Sequence, residues 1–253
     1  MSEVGGLSEV ETHQHTSHQL KLQPSPPGEQ RGKKKGARLG FSYSLDEELE
    51  IFVMPDRDYT LIIDKSGSMS TPDQPGGKTR WETVQESTLA VARKCEQLDA
   101  NGITVYLFSS RFKRYDNVTS DKVTQIFQEN DPMGRTDLAS VLKDATDNYF
   151  QRKAAGEAKP DGEIILVVTD GEPDDRKAVM RVIIEASRQM DRDEELGISL
   201  MQVGNDPTAM RFLNILDDEL QGAGAKFDIA DTATLDDMAD MTLSEVLVNA
   251  IID

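Results

Sequence analysis

The chain holds one cysteine, Cys95, in 253 residues. No intrachain disulfide can form, which permits a reducing compartment. No apolar run approaches the ~20 residues that cross a bilayer. The polar stretch from Met1 to Leu20 lacks the apolar centre of a signal peptide. From these absences we expect a soluble, cytoplasmic protein with no membrane insertion. Positive charge is scarce as well: 28 Lys and Arg face 46 Asp and Glu, a net charge of −18. That balance disfavours nonspecific binding of nucleic acid or anionic lipid and suits cations or basic partner surfaces. The three histidines are confined to His13, His15 and His18, so the rest of the chain offers no imidazole as a general base.

What is present divides near residue 41. Residues 1–40 carry six basic and four acidic side chains, about +2 by count, while the remainder carries about −20. They lack apolar periodicity and contain Pro24-Ser25-Pro26-Pro27-Gly28 and Lys33-Lys34-Lys35. We expect a disordered polar and basic tail there. The histidines could hold a transition metal and the lysines could contact a partner, but a solvated tail explains both. Residues 41–58 read as an acidic lead-in, and 59–253 as one domain. An apolar content of 37% supports a core while leaving part of the chain outside it.

From Tyr59 onward, strand and helix patterns alternate. Strands are expected at 59–64, 103–108, near 112–117, at 164–168, at about 197–203 and at 226–229. Helices are expected at about 80–99, 120–128, 137–154, 174–191, 208–219 and 242–252. In the first helix Trp81, Val84, Thr88, Val91, Cys95 and Leu98 share one face, which marks Cys95 as a buried structural thiol. Ile164-Ile165-Leu166-Val167-Val168 is apolar without alternation, as a central parallel strand covered on both faces should be. The short link Ser109-Ser110-Arg111 allows only an antiparallel neighbour after the second strand. The fold class is therefore α/β: a doubly wound, mostly parallel six-stranded sheet with helices on both faces and strand 3 as an antiparallel edge.

Ligands of such sheets lie beyond the carboxyl ends of the strands, where strand order reverses. With the order 3-2-1-4-5-6, strands 1 and 4 meet at that point. Strand 1 runs out into Asp64, Ser66 and Ser68. Strand 4 runs out into Asp170, and the loop before the 137–154 helix offers Thr136. Two carboxylates and three hydroxyls, with no thiolate or imidazole, select magnesium, manganese or calcium over zinc. Each piece also has a plainer reading. Asp64 with Ser66 fits a turn or a helix cap, Thr136 a helix cap, and Asp170-Gly171 an ordinary turn. Lys65, Arg80 and Arg135 read as solvated surface or as contacts for an incoming carboxylate. Glu172, Asp174 and Asp175 read as rim charge at a helix start. The stretch from Ser70 to Arg80 reads as a mobile insertion beside the site.

Taken together, Asp64-Lys65-Ser66-Gly67-Ser68-Met69, Gly134-Arg135-Thr136-Asp137-Leu138 and Thr169-Asp170-Gly171 resemble the three-part motif of the von Willebrand factor A domain family. The resemblance spans about 59–253 and implies a metal-ion-dependent adhesion site. It implies direct metal contacts from Ser66 and Ser68, a direct or water-mediated contact from Thr136, and water-mediated roles for Asp64 and Asp170. The ion would be magnesium, or alternatively manganese or calcium. An Asp or Glu of a protein partner would complete the coordination. It further implies a non-enzymatic binding module, with AAA+ ATPases of the MoxR or chelatase type among the partner classes.

Two other functions compete. A metal-dependent phosphoester hydrolase could use Asp64 as its phosphate-accepting group, but the residue two positions on is Ser66 rather than a second acid. A dinucleotide-binding domain would need a Gly-x-Gly-x-x-Gly turn after strand 1, and none is present.

Overall fold

The computed structural model describes residues 56–98, 102–233, 242 and 244–246. The tail at 1–40, most of the lead-in at 41–58 and most of the 242–252 helix lie outside the described residues. Among the described residues the strands are β1 Asp58–Asp64, β2 Ile103–Phe108, β3 Phe112–Val118, β4 Glu163–Thr169, β5 Leu196–Gln202 and β6 Ala230–Ala233. The helices that accompany them are α1 Arg80–Leu98, α2 Ser120–Gln128, α3 Leu138–Ala155, α4 Arg176–Gln189 and α5 Pro207–Asp218. The sheet order is β3-β2-β1-β4-β5-β6. All neighbours are parallel except β2 and β3, which the three-residue turn forces antiparallel.

Side chains alternate across the central strands and divide the core in two. Leu61, Ile63, Leu166 and Val168 face one layer, packed by Val84, Val91 and Cys95 of α1 and by Val123 and Phe127 of α2. Trp81 and Phe127 lock those two helices together with ring centroids 4.5 Å apart. Val246 is buried in the same layer, and the Ser244 hydroxyl donates to Ser87 at 3.2 Å. Ile62, Ile165 and Val167 face the other layer, against Leu142 and Tyr149 of α3, Ile183 of α4 and Phe212 of α5. Burial on both faces is why β1 and β4 need continuous apolar runs.

The last strand departs from expectation. It runs at Ala230–Ala233 rather than 226–229. Ile229 is buried and its carbonyl accepts from Ile198 N–H at 2.7 Å, but the paired residues begin with Ile198 and Ala230. Phe227 and Ile229 mark the entry to the strand. Its backbone is then held from α5, with Asp217 accepting from Thr232 N–H at 3.0 Å.

At the amino-terminal edge of the sheet, buried charges are paired. Arg152 bridges Asp58 and Glu163, and Lys153 reaches Glu195 at 2.7 Å. Gly162 precedes β4 with φ +87°, and a Cβ there would lie 1.9 Å from the Glu195 carbonyl oxygen, so only glycine fits.

Candidate functional site

The opposite, carboxyl-terminal edge gathers the expected residues. β1 delivers Asp64 to its end with no solvent exposure. Asp64 Oδ1 accepts from Ser66 N–H at 2.7 Å, and Oδ2 accepts from the Thr169 hydroxyl at 2.7 Å. The carboxylate therefore braces both strand exits at once. Burial pushes its carboxyl up to about 6; the hydrogen bonds from Ser66 and Thr169 pull it down, and the nearby Asp170 raises it further. No cation pairs with Asp64 among the described residues.

Above Asp64 the chain turns through a short 3-10 segment, Gly67–Ser70, which lifts Ser68 towards solvent while Ser66 stays buried. The two hydroxyl oxygens lie 3.0 Å apart. Ser68 donates to Asp170 Oδ1 at 2.8 Å, and a hydroxyl has one proton, so Ser66 is the donor to Ser68. Asp64, Ser66, Ser68 and Asp170 thus form one stair of oxygens from the core to the surface.

The loop carrying Thr136 is stitched to both strand exits. Met133 N–H donates to Lys65 O at 2.7 Å, Gly67 N–H to Gly134 O at 3.3 Å, and Asp174 N–H to Thr136 O at 2.9 Å. The cap of α3 is Asp137, which accepts from Ser140 N–H, so Thr136 does not serve as the helix cap. Its half-buried side chain makes no hydrogen bond among the described residues. Asp175 caps α4, accepting from Ala178 N–H, and Asp174 pairs loosely with the exposed Arg135 at 3.3 Å.

Arg80 corrects one expectation. It is not solvated surface: its side chain is 11% exposed and reaches Asp170 Oδ2 at 2.8 Å with Nη1 and Asp73 Oδ2 at 2.5 Å with Nη2. Gly204, at φ +84°, leaves the slot it needs, since a Cβ there would lie 2.6 Å from the guanidinium carbon. The insertion is correspondingly built rather than loose. Asp73 takes two further contacts from Arg80 Nε, Thr71 O accepts from Arg80 N–H, and Gln74 bridges to Lys78. Sequence reasoning gave Thr169 no role and left Arg80 undecided. Thr169 had a signal, being adjacent to Asp170. Arg80 had none, because its partner is 90 residues away.

The donor set fits a hard divalent cation. It is oxygen only, it joins a buried unpaired carboxylate to two hydroxyls with lone pairs to spare, and one more hydroxyl hangs on the adjoining loop. Among the described residues no three His, Cys, Asp or Glu side chains converge on one point, so an ion at this edge would rest on the hydroxyls as much as on the carboxylates. On β5, Gln202 ends the strand buried, with its Oε1 lacking a partner among the described residues.

Residues 59–172 match the family model described as von Willebrand factor type A domain. No curated protein matches the chain in sequence. Solved structures do match in fold. The VWA domain of SpRpn10 aligns at TM-score 0.53 and 14% identity, over 76% of this chain and 94% of that one. Manganese-loaded TRAP protein of Plasmodium vivax aligns at 0.53 and 16%, over 78% and 75%. The pilus adhesin SpaC of Lactobacillus rhamnosus GG aligns at 0.51 and 16%, over 79% of this chain but 31% of that one. Residues 59–172 are thus similar in sequence to the von Willebrand factor type A domain, and the sheet order and layers match the fold of the solved structures.

Proposed function

We propose that this chain is a metal-dependent protein-interaction module. Ser66, Ser68 and Thr136 would hold a magnesium-type ion, with Asp64 and Asp170 orienting the hydroxyls and bound water. The bound ion supplies an electrophilic position that accepts an Asp or Glu side chain of a partner. The single observation carrying this reading is the stair from Asp64 to Asp170, at whose foot the buried Asp64 carboxylate is answered by one hydroxyl and one N–H instead of a cation. A neighbour in fold, TRAP of Plasmodium vivax, is manganese-loaded, which favours a divalent ion here. The partner class, including AAA+ ATPases, the cytoplasmic location and the division into 1–40, 41–58 and 59–253 belong to the same proposal. Among the described residues no helix is long and apolar enough to cross a membrane.

The placement of Asp64 disfavours the phosphoester-hydrolase alternative. Both of its oxygens are already occupied and it has no exposure, so it does not present a nucleophile. Calorimetric titration of magnesium into the full chain tests the site. The Ser66→Ala/Ser68→Ala double variant should lose binding while staying folded; unchanged affinity would refute the assignment. A partner captured in magnesium should be released by chelator.

A further inference from the structure

We propose that Arg80 is a positioning residue that sets the charge of the site: it neutralises Asp170 so that the metal-loaded edge stays positive enough to draw in a carboxylate. This rests on the metal-site reading above. The geometry allots one carboxylate to each task. Asp170 gives Oδ1 to Ser68 and Oδ2 to Arg80, at 2.8 Å each, with its side chain fully buried. Asp64 keeps its charge uncompensated. The two inward carboxylates and one guanidinium sum to one negative charge, which a divalent ion turns into one positive charge, offset in part by Asp73 on the solvent side of the guanidinium. Without Arg80 the loaded site would be neutral, and a neutral site has little pull on an anion in a chain of net charge −18.

The placement of Arg80 supports this role. It opens α1, an end at which helices favour acids rather than bases. It is buried in a slot that requires glycine at position 204. Asp73 draws on the same guanidinium from the solvent side with a side chain 32% exposed, so its opposing charge is weakened by water. Through Asp73 the insertion is tied to the site and moderates the charge that Arg80 supplies.

The test separates charge from architecture, because the two move metal affinity in opposite directions. Manganese is titrated into the full chain and followed by electron paramagnetic resonance. Acetate is then added to the loaded chain and followed by water-proton relaxation as it displaces bound water. Arg80→Met should bind manganese about fivefold tighter and acetate about fivefold weaker. If Arg80 only braces the fold, both affinities fall, and the inference is wrong. It is equally wrong if acetate binding is unchanged, or if wild type binds manganese but no acetate. Should Arg80→Met fail to fold, Asp73→Asn decides: it leaves Arg80 on Asp170 and removes the competing carboxylate, so acetate should bind about twofold tighter. No change or weaker binding there overturns the proposal. Failure of the metal reading itself looks different: no manganese binding to wild type, or equal binding to Ser66→Ala/Ser68→Ala.

Discussion

The two edges of the sheet treat buried acids in different ways. At the amino-terminal edge Glu163 and Glu195 are 2% and 3% exposed, and each meets a cation, Arg152 and Lys153 respectively. At the carboxyl-terminal edge Asp64 has no exposure and meets only an N–H and a hydroxyl, with a second acid nearby. Burial raises the carboxyl of both Glu163 and Asp64. Arg152 then pulls Glu163 down, whereas Asp170 pushes Asp64 up further. Uncompensated buried charge is costly, and proteins normally pair it or bind a metal with it. The amino-terminal edge pairs its buried acids with cations of the chain, and the carboxyl-terminal edge leaves Asp64 without one among the described residues.

The largest expected effect breaks the settled edge. Arg152→Met strands Glu163 and should cost about 3 kcal/mol in urea unfolding, the same with or without magnesium. A magnesium-dependent loss would mean the two edges are not independent. Next is Asp64→Asn, which should stabilise the metal-free chain by about 2 kcal/mol at neutral pH. The sign follows from the raised carboxyl, about 6 folded against an ordinary 3.8. As pH falls through 6 the folded state takes up the proton first, so wild-type stability rises and the gain is complete near pH 4. The variant should lack that rise, and identical pH profiles would show that Asp64 is not strained. The smallest effect is that of Ser66→Ala/Ser68→Ala on the metal-free fold, about 1 kcal/mol or less by thermal unfolding, because each hydroxyl makes a modest net contribution. A loss several times larger would make the hydroxyls structural rather than ligating.

Much of this architecture was legible because local rules governed it. The apolar runs ending in Asp64 and Thr169, the three-residue turn before β3 and the helix faces of α1 and α3 depend on neighbours in sequence. The order of strands is the one supposed for a doubly wound sheet, and it brings Asp64 near Asp170. What stayed hidden depends on tertiary placement. Phe227 and Ile229 look like a strand, yet they only lead into one, since the ladder is fixed by β5 and Asp217. Arg80 looks like an exposed helix start until the exits of β4 and β5 bring Asp170 and Gly204 around it. The insertion looks loose until Asp73 is seen on that guanidinium.

The central claim is that the carboxyl-terminal edge takes up a cation which the chain does not supply. Equilibrium unfolding of the full chain across a magnesium series, with wild type beside Ser66→Ala/Ser68→Ala, tests it most directly. The account predicts wild-type stability rising with the logarithm of magnesium concentration above its dissociation constant, by about 1.4 kcal/mol per tenfold, and a flat response in the double variant. Equal responses in the two proteins, or none in wild type, would contradict it.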